Sequence, residues 1–160
     1  MTPPPSLAVI ARSLAEAYAL RRTATALLLP ASPELRCVNL MCAKVGGGCA
    51  CRLALSLERM EVLSELDVSA NALDALPDAA WASPGLRELR AAGNRLTTLP
   101  PVLSARLRVL DVRDNRIAAL PWDALAALPA LERLGTSGNP LVASELEAGR
   151  ALLGARVTLF

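Results

Sequence analysis

The chain has no histidine. That removes the commonest general base and the commonest metal ligand. It also excludes Ser–His and Cys–His nucleophilic pairs. Aromatic residues make up only 2% of the 160 residues against 53% hydrophobic, so the core is aliphatic, built on Leu, Val and Ala. So few aromatic rings do not make a base-stacking platform for nucleic acid. No apolar run approaches the length of a membrane span. Charge of one sign is also lacking. Residues 1–62 carry seven basic and four acidic side chains, and residues 63–160 carry ten and eleven. Neither part has the strongly basic face that binding a phosphate backbone requires.

What the chain does have is repetition. Aligned on leucines, it reads LSELDVSANAL from Leu63, LRELRAAGNRL from Leu86, LRVLDVRDNRI from Leu107 and LERLGTSGNPL from Leu131. The steps are 23, 21 and 24 residues. Three of the segments continue into a second shared piece, Leu73–Pro77, Leu96–Pro100 and Ile117–Pro121. The frame L-x-x-L-x-(small or apolar)-x-x-N-x-(L/I) resembles the leucine-rich-repeat family. The resemblance covers roughly residues 35–160. It implies an α/β solenoid with a curved parallel sheet on the concave face and helices or 3-10 turns on the convex face.

The physics of the frame is simple. One repeat cannot bury its own apolar face, whereas stacked repeats form a continuous core. Period-two alternation marks half-buried strands. Leu66 and Val68, Leu89 and Ala91, Leu110 and Val112, and Leu134 and Thr136 are therefore expected to point inward. Asn71, Asn94, Asn115 and Asn139 share one repeat position. In the family, this Asn bonds backbone groups of adjacent coils and forms a structural ladder.

Before the regular repeats, Ser6 can cap a helix, and Leu7, Ile10, Leu14, Ala17 and Tyr18 recur at helical spacing. The spacing predicts one helix to about Leu29 and an N-terminal helical cap over residues 1–34. Arg12, Arg21 and Arg22, with few acids, also fit an organellar presequence. The repeat domain is expected over 35–160, with repeats starting near 35, 63, 86, 107 and 131 and a C-terminal cap over 142–160. The first coil is expected to use Leu35, Val38 and Leu40, with Ala43 in place of Asn. Its Ala50, Leu53, Ala54 and Leu57 resemble the helix pattern of ribonuclease-inhibitor-like repeats, with Cys49 in place of Gly. Gly46, Gly47 and Gly48 lack the Gly-Lys-Ser/Thr of a phosphate loop and read as a flexible turn.

All four cysteines, Cys37, Cys42, Cys49 and Cys51, lie in this first coil. Zinc favours four sulfur ligands, but the spacing C-x4-C-x6-C-x-C lacks paired C-x2-C knuckles. Extracellular members of the family carry disulfides at their N-termini. The preferred reading is reduced thiols, with no cofactor, no metal ligand and a reducing compartment such as the cytoplasm. A mitochondrion or another organelle is the alternative.

Trp81 and Trp122 follow Leu-Pro on the convex side and read as core filling there, with an exposed partner anchor as the alternative. Gly138-Asn139-Pro140 resembles the closing motif of the short-repeat class. Ser144 is placed to cap a last helix, with Leu152, Leu153 and Phe160 sealing the core. On the concave strands Glu65, Asp67, Arg87, Arg90, Arg108, Asp111, Arg113, Asp114 and Arg133 form a patch of mixed charge, read either as internal pairing on a solvated face or as a protein-docking surface. Asp67 and Asp111 are the best carboxylate pair, yet two strand spacings put them about 10 Å apart. The expectation is therefore a non-catalytic protein-interaction module, an adaptor or a structural subunit of a larger assembly, that binds a protein partner through this face. The alternatives are a peripheral protein of a ribonucleoprotein, touching nucleic acid through scattered arginines such as Arg12, Arg21, Arg22, Arg106, Arg150 and Arg156, and a regulator covering an enzyme's active site.

Overall fold

The computed structural model describes residues 8–160. Among these, seven strands form one parallel sheet in chain order. They are β1 (Ile10–Ala11), β2 (Ala26–Leu28), β3 (Glu65–Asp67), β4 (Glu88–Arg90), β5 (Val109–Asp111), β6 (Arg133–Gly135) and β7 (Thr158–Leu159). Short helices return the chain on the opposite side: α1 (Leu14–Ala19), α2 (Cys51–Leu57), α3 (Asp78–Ala82), α4 (Trp122–Ala126) and α5 (Ala143–Leu153). The parallel register aligns Leu27, Leu66, Leu89, Leu110, Leu134 and Leu159. The first five are fully buried. Two residues further on, Leu29, Val68, Ala91, Val112 and Thr136 form a second buried column. Each leucine buried in this way stabilises the fold by about 1.5–3 kcal/mol.

A third column is polar. The Nδ2 of Asn94 donates to Val68 O and Ala91 O, both at 3.0 Å. Asn115 donates to Ala91 O and Val112 O at the same distance. Asn139 donates to Val112 O at 2.8 Å and Thr136 O at 3.0 Å. The amide oxygens accept in turn. Asn94 Oδ1 takes the N–H groups of Asn71 and Leu73 at 3.1 and 3.0 Å. Asn115 Oδ1 takes Leu96 N–H at 2.9 Å, and Asn139 Oδ1 takes Ile117 N–H at 3.0 Å. Each side chain thus pairs backbone groups that the turn after the strand leaves without a sheet partner.

The residue before each ladder position is left-handed: Ala70 (φ 57°), Gly93 (66°), Asp114 (53°) and Gly138 (73°). Ala31 (φ 47°) belongs to the same series. It identifies Ser32, whose N–H donates to Asn71 Oδ1 at 2.8 Å, as the matching position of an earlier coil.

That earlier coil corrects the sequence reading. A single helix to Leu29 does not form. Instead α1 ends at Ala19, and the chain then enters β2. Leu27 and Leu29 are buried on either side of half-buried Leu28, so pairing with β3 overrides local helical spacing. Ser13, with its Oγ accepting Glu16 N–H at 3.0 Å, caps α1. The expected start at Ser6 and Leu7 lies outside the described residues. The strand expected at Leu35–Leu40 and the ladder position at Ala43 are likewise displaced, to β2 and Ser32. Leu35 closes a 3-10 turn, Pro33–Leu35, while Val38 and Leu40 are 75% and 87% exposed.

At the far end, α5 starts at Ala143 with Val142 as its N-cap, so Ser144 sits inside the first turn rather than capping it. Leu153 is buried, but Leu152 is 53% exposed, because only one face of α5 meets the solenoid. That face crosses α4 at Gly149. A methyl group there would lie 2.3 Å from the Trp122 ring. Trp81 is buried in the core, and Trp122 packs against it.

Two outcomes are expected in chemical denaturation. Asn94→Ala and Asn115→Ala should each lose about 1–3 kcal/mol, with Asn94 the costlier because its oxygen serves two N–H groups. Gly149→Ala should lose about 1–3 kcal/mol through overpacking against Trp122, and Trp122→Leu in the same chain should restore part of it.

Candidate interaction surface

The residues between the buried columns face the open side of the sheet. The register sets Glu65 beside Glu88 and then Val109 and Arg133 in one row. The next row runs Asp67, Arg90, Asp111 and Gly135. Like charges side by side repel, and Arg90 relieves this at the first pair. Its guanidinium bonds Glu65, and it bonds Glu88 Oε2 at 2.6 Å. Partial burial disfavours its charge, but Glu65, Glu88 and Asp67 outweigh that and hold the guanidinium above its ordinary range. Asp67 and Asp111 flank Arg90 on neighbouring strands.

Asp111 is buried and bonded three times by Arg113: from the backbone N–H at 3.2 Å, Nε at 2.9 Å and Nη2 at 2.8 Å. This pairing, opposed by slight desolvation, raises the Arg113 pKa. Arg108 forms a bidentate pair with Glu132 at 2.9–3.1 Å at the exposed end of the strands. Asp114 lies in the left-handed turn beyond β5 rather than on the strand. Arg87 and Arg133 are exposed and make no ion pair among the described residues.

No family model matches the chain. Its similarity to known proteins lies in the repeats. It is 48% identical over 56 residues to podocan of Mus musculus, covering 35% of this chain and 9% of podocan. It is 49% identical over 94 residues to the leucine-rich repeat serine/threonine-protein kinase 1 of Caenorhabditis elegans, covering 56% of this chain and 4% of that protein. The fold matches a solved leucine-rich-repeat protein of Leptospira interrogans with a TM-score of 0.50 and 23% identity, over 66% of this chain and 33% of that one. This chain is a leucine-rich-repeat protein.

The chain spans only a small fraction of the curated relatives it matches. What it shares with them is the repeat array. Among the described residues, no helix is long and apolar enough to cross a membrane.

One component of the repeat protein's open face escapes the sequence reading. Phe160 was expected to plug the core. Instead its ring lies beside Gly135 on the open side, where a methyl group on Gly135 would come within 2.9 Å of it. The Arg113 and Arg133 guanidiniums stand over the ring at 4.7 and 4.8 Å from its centre. Strand parity was the available signal. Val157 is buried and Leu159 packs against the core, so Phe160 must face the other way.

The scattered arginines are partly engaged elsewhere. Arg156 donates to Leu128 O at 2.8 Å and to Ala126 O behind α4, and Arg22 pairs with Glu61 at 3.4 Å.

Asp111→Ala should leave the Arg113 guanidinium and the Arg113 backbone N–H without their carboxylate partner, losing about 1–3 kcal/mol. Arg108→Ala removes only an exposed pair and should cost under about 1 kcal/mol. Urea midpoints of the two variants check the order.

Proposed function

We propose that this leucine-rich-repeat protein is a non-catalytic interaction module whose open sheet face docks an acidic segment of a protein partner. The observation that carries the reading is the group at the C-terminal end of that face. Phe160 supplies a half-buried aromatic ring, and Arg113 and Arg133 stand over it. Aromatic and arginine side chains are the usual anchors of protein interfaces. Arg113 is committed to Asp111, while Arg133 and Arg87 remain available to a partner's carboxylates. Complementary charge of this kind sets orientation and association rate more than raw affinity.

The surrounding ion pairs favour docking over catalysis. Asp67 and Asp111 are separated by the Arg90 strand, and Asp111 is bonded by Arg113. The concave face of a solenoid is also a rigid platform, since it rests on the buried columns beneath it. In this reading the protein serves as an adaptor or a structural subunit of a larger assembly, in a reducing compartment.

Affinity capture from the native source, quantified by mass spectrometry, tests it. Arg87→Glu combined with Arg133→Glu should reduce recovery of the specific partners about tenfold or more. The melting temperature should barely change, because both side chains are exposed. Undiminished recovery would overturn the reading.

A further inference from the structure

Residues 36–50 leave the solenoid between the Pro33–Leu35 turn and α2. The excursion has almost no apolar packing of its own: Val38, Leu40 and Met41 are 75%, 87% and 93% exposed. Yet it follows a defined path. Cys37 N–H donates to Gly47 O, and Gly46 N–H donates to Cys37 O, both at 2.8 Å. Cys49 N–H donates to Leu35 O at 2.8 Å. Gly48 presses on the next coil, where a methyl group would lie 2.4 Å from Ala72 O. A loop this long without a core needs something else to hold it.

The sulfurs are the remaining feature. All four cysteines of the chain lie in this loop and at its exit into α2. The Sγ atoms of Cys37, Cys49 and Cys51 lie within 4.8 Å of one another. Cys49 Sγ is 3.2 Å from Cys51 Sγ and 4.0 Å from Cys42 Sγ. A zinc ion with Zn–S bonds of about 2.3 Å sets its four sulfurs about 3.8 Å apart. The two separations from Cys49, 3.2 and 4.0 Å, bracket that edge, and Cys42, which lies outside the group of three, would close in on the ion. Residues 37 and 42 precede the glycine turn and 49 and 51 follow it, so the four together can supply the four ligands of a closed tetrahedral site. The Lys44 backbone N–H lies 3.5 Å from Cys42 Sγ, so a ligand sulfur already has an outer partner.

We infer that Cys37, Cys42, Cys49 and Cys51 form a tetrathiolate site for one zinc ion, which staples the 36–50 loop to the flank of the solenoid. On binding, each thiol gives its proton to solvent and its sulfur forms a bond to the metal. No electron is transferred, and the ion keeps its charge. Four thiolates and no nitrogen or oxygen donor select zinc over magnesium, calcium or manganese. The site is structural, since all four positions are filled by protein. The sequence reading passes over it because C-x4-C-x6-C-x-C contains no C-x2-C pair. The backbone pairing between Cys37 and the glycine turn brings the ligands together instead.

The full chain, prepared under reducing conditions with zinc present, should hold about one zinc per chain after desalting. Titration of the metal-free protein with Co2+ should give the visible bands of tetrahedral cobalt and the near-ultraviolet absorption of thiolate–cobalt bonds. Zinc should then displace the cobalt. Cys42→Ser, at a half-buried loop position, should weaken zinc binding at least about tenfold while leaving the circular dichroism of the solenoid intact. Cys51→Ser, at an exposed ligand, should do the same. Octahedral cobalt spectra would overturn the inference. So would two disulfides in the protein from its native source, or zinc content unchanged in both serine variants.

Discussion

No coil of this protein can satisfy its own backbone where the chain turns away from the sheet. The neighbouring coil's asparagine does it instead. Asn94 bonds carbonyls on two strands at once and receives two N–H groups from the preceding coil. Buried amides and carbonyls left unpaired cost as much as the packing around them supplies. The leucine columns can therefore close only where the ladder is complete. The two requirements hold the strands in one register from Leu27 to Leu159.

Register in turn makes the open face. Once Leu66, Leu89, Leu110 and Leu134 are in line, the residues on either side of them have no choice of position. Glu65 and Glu88 become neighbours, and Arg90 sits where it can bond both. Gly135 leaves room for Phe160 to lie beside Asp111 and its arginine. The charged rows and the aromatic group are consequences of stacking, and they inherit its rigidity.

The regular coils were legible because each of their features repeats. Four asparagines in one frame, each followed by a leucine or isoleucine, fix strand, turn and buried columns together. The earlier coil was not legible. It replaces Asn by Ser32 and the first Leu of the frame by Ala24, and its run Ala26-Leu27-Leu28-Leu29 fits helix and buried strand equally well until β3 is present to pair with it. The left-handed Ala31 marks the turn of the frame, and nothing in the letter Ala announces it. On the open face, the charged positions of the strands could be read by alternation. Which arginines are spent on internal partners could not, because that depends on side-chain reach across coils. Phe160 was misread because a terminal aromatic was judged by its hydrophobicity rather than by its parity. The approach of the cysteine sulfurs was not legible either, because spacing along the chain is a poor guide when a glycine turn folds the loop back on itself.

Asparagine side chains, passing from coil to coil, complete the backbone pairing on which the stack depends. Residue-resolved hydrogen exchange by NMR measures this directly. The Asn71, Leu73, Leu96 and Ile117 amides donate to asparagine oxygens rather than to the sheet. They should exchange as slowly as amides paired directly between coils, such as Val68 and Ala91, through the same opening of the whole array. Exchange of these four amides at the rate of the exposed loop residues Leu40 and Met41 would contradict the account.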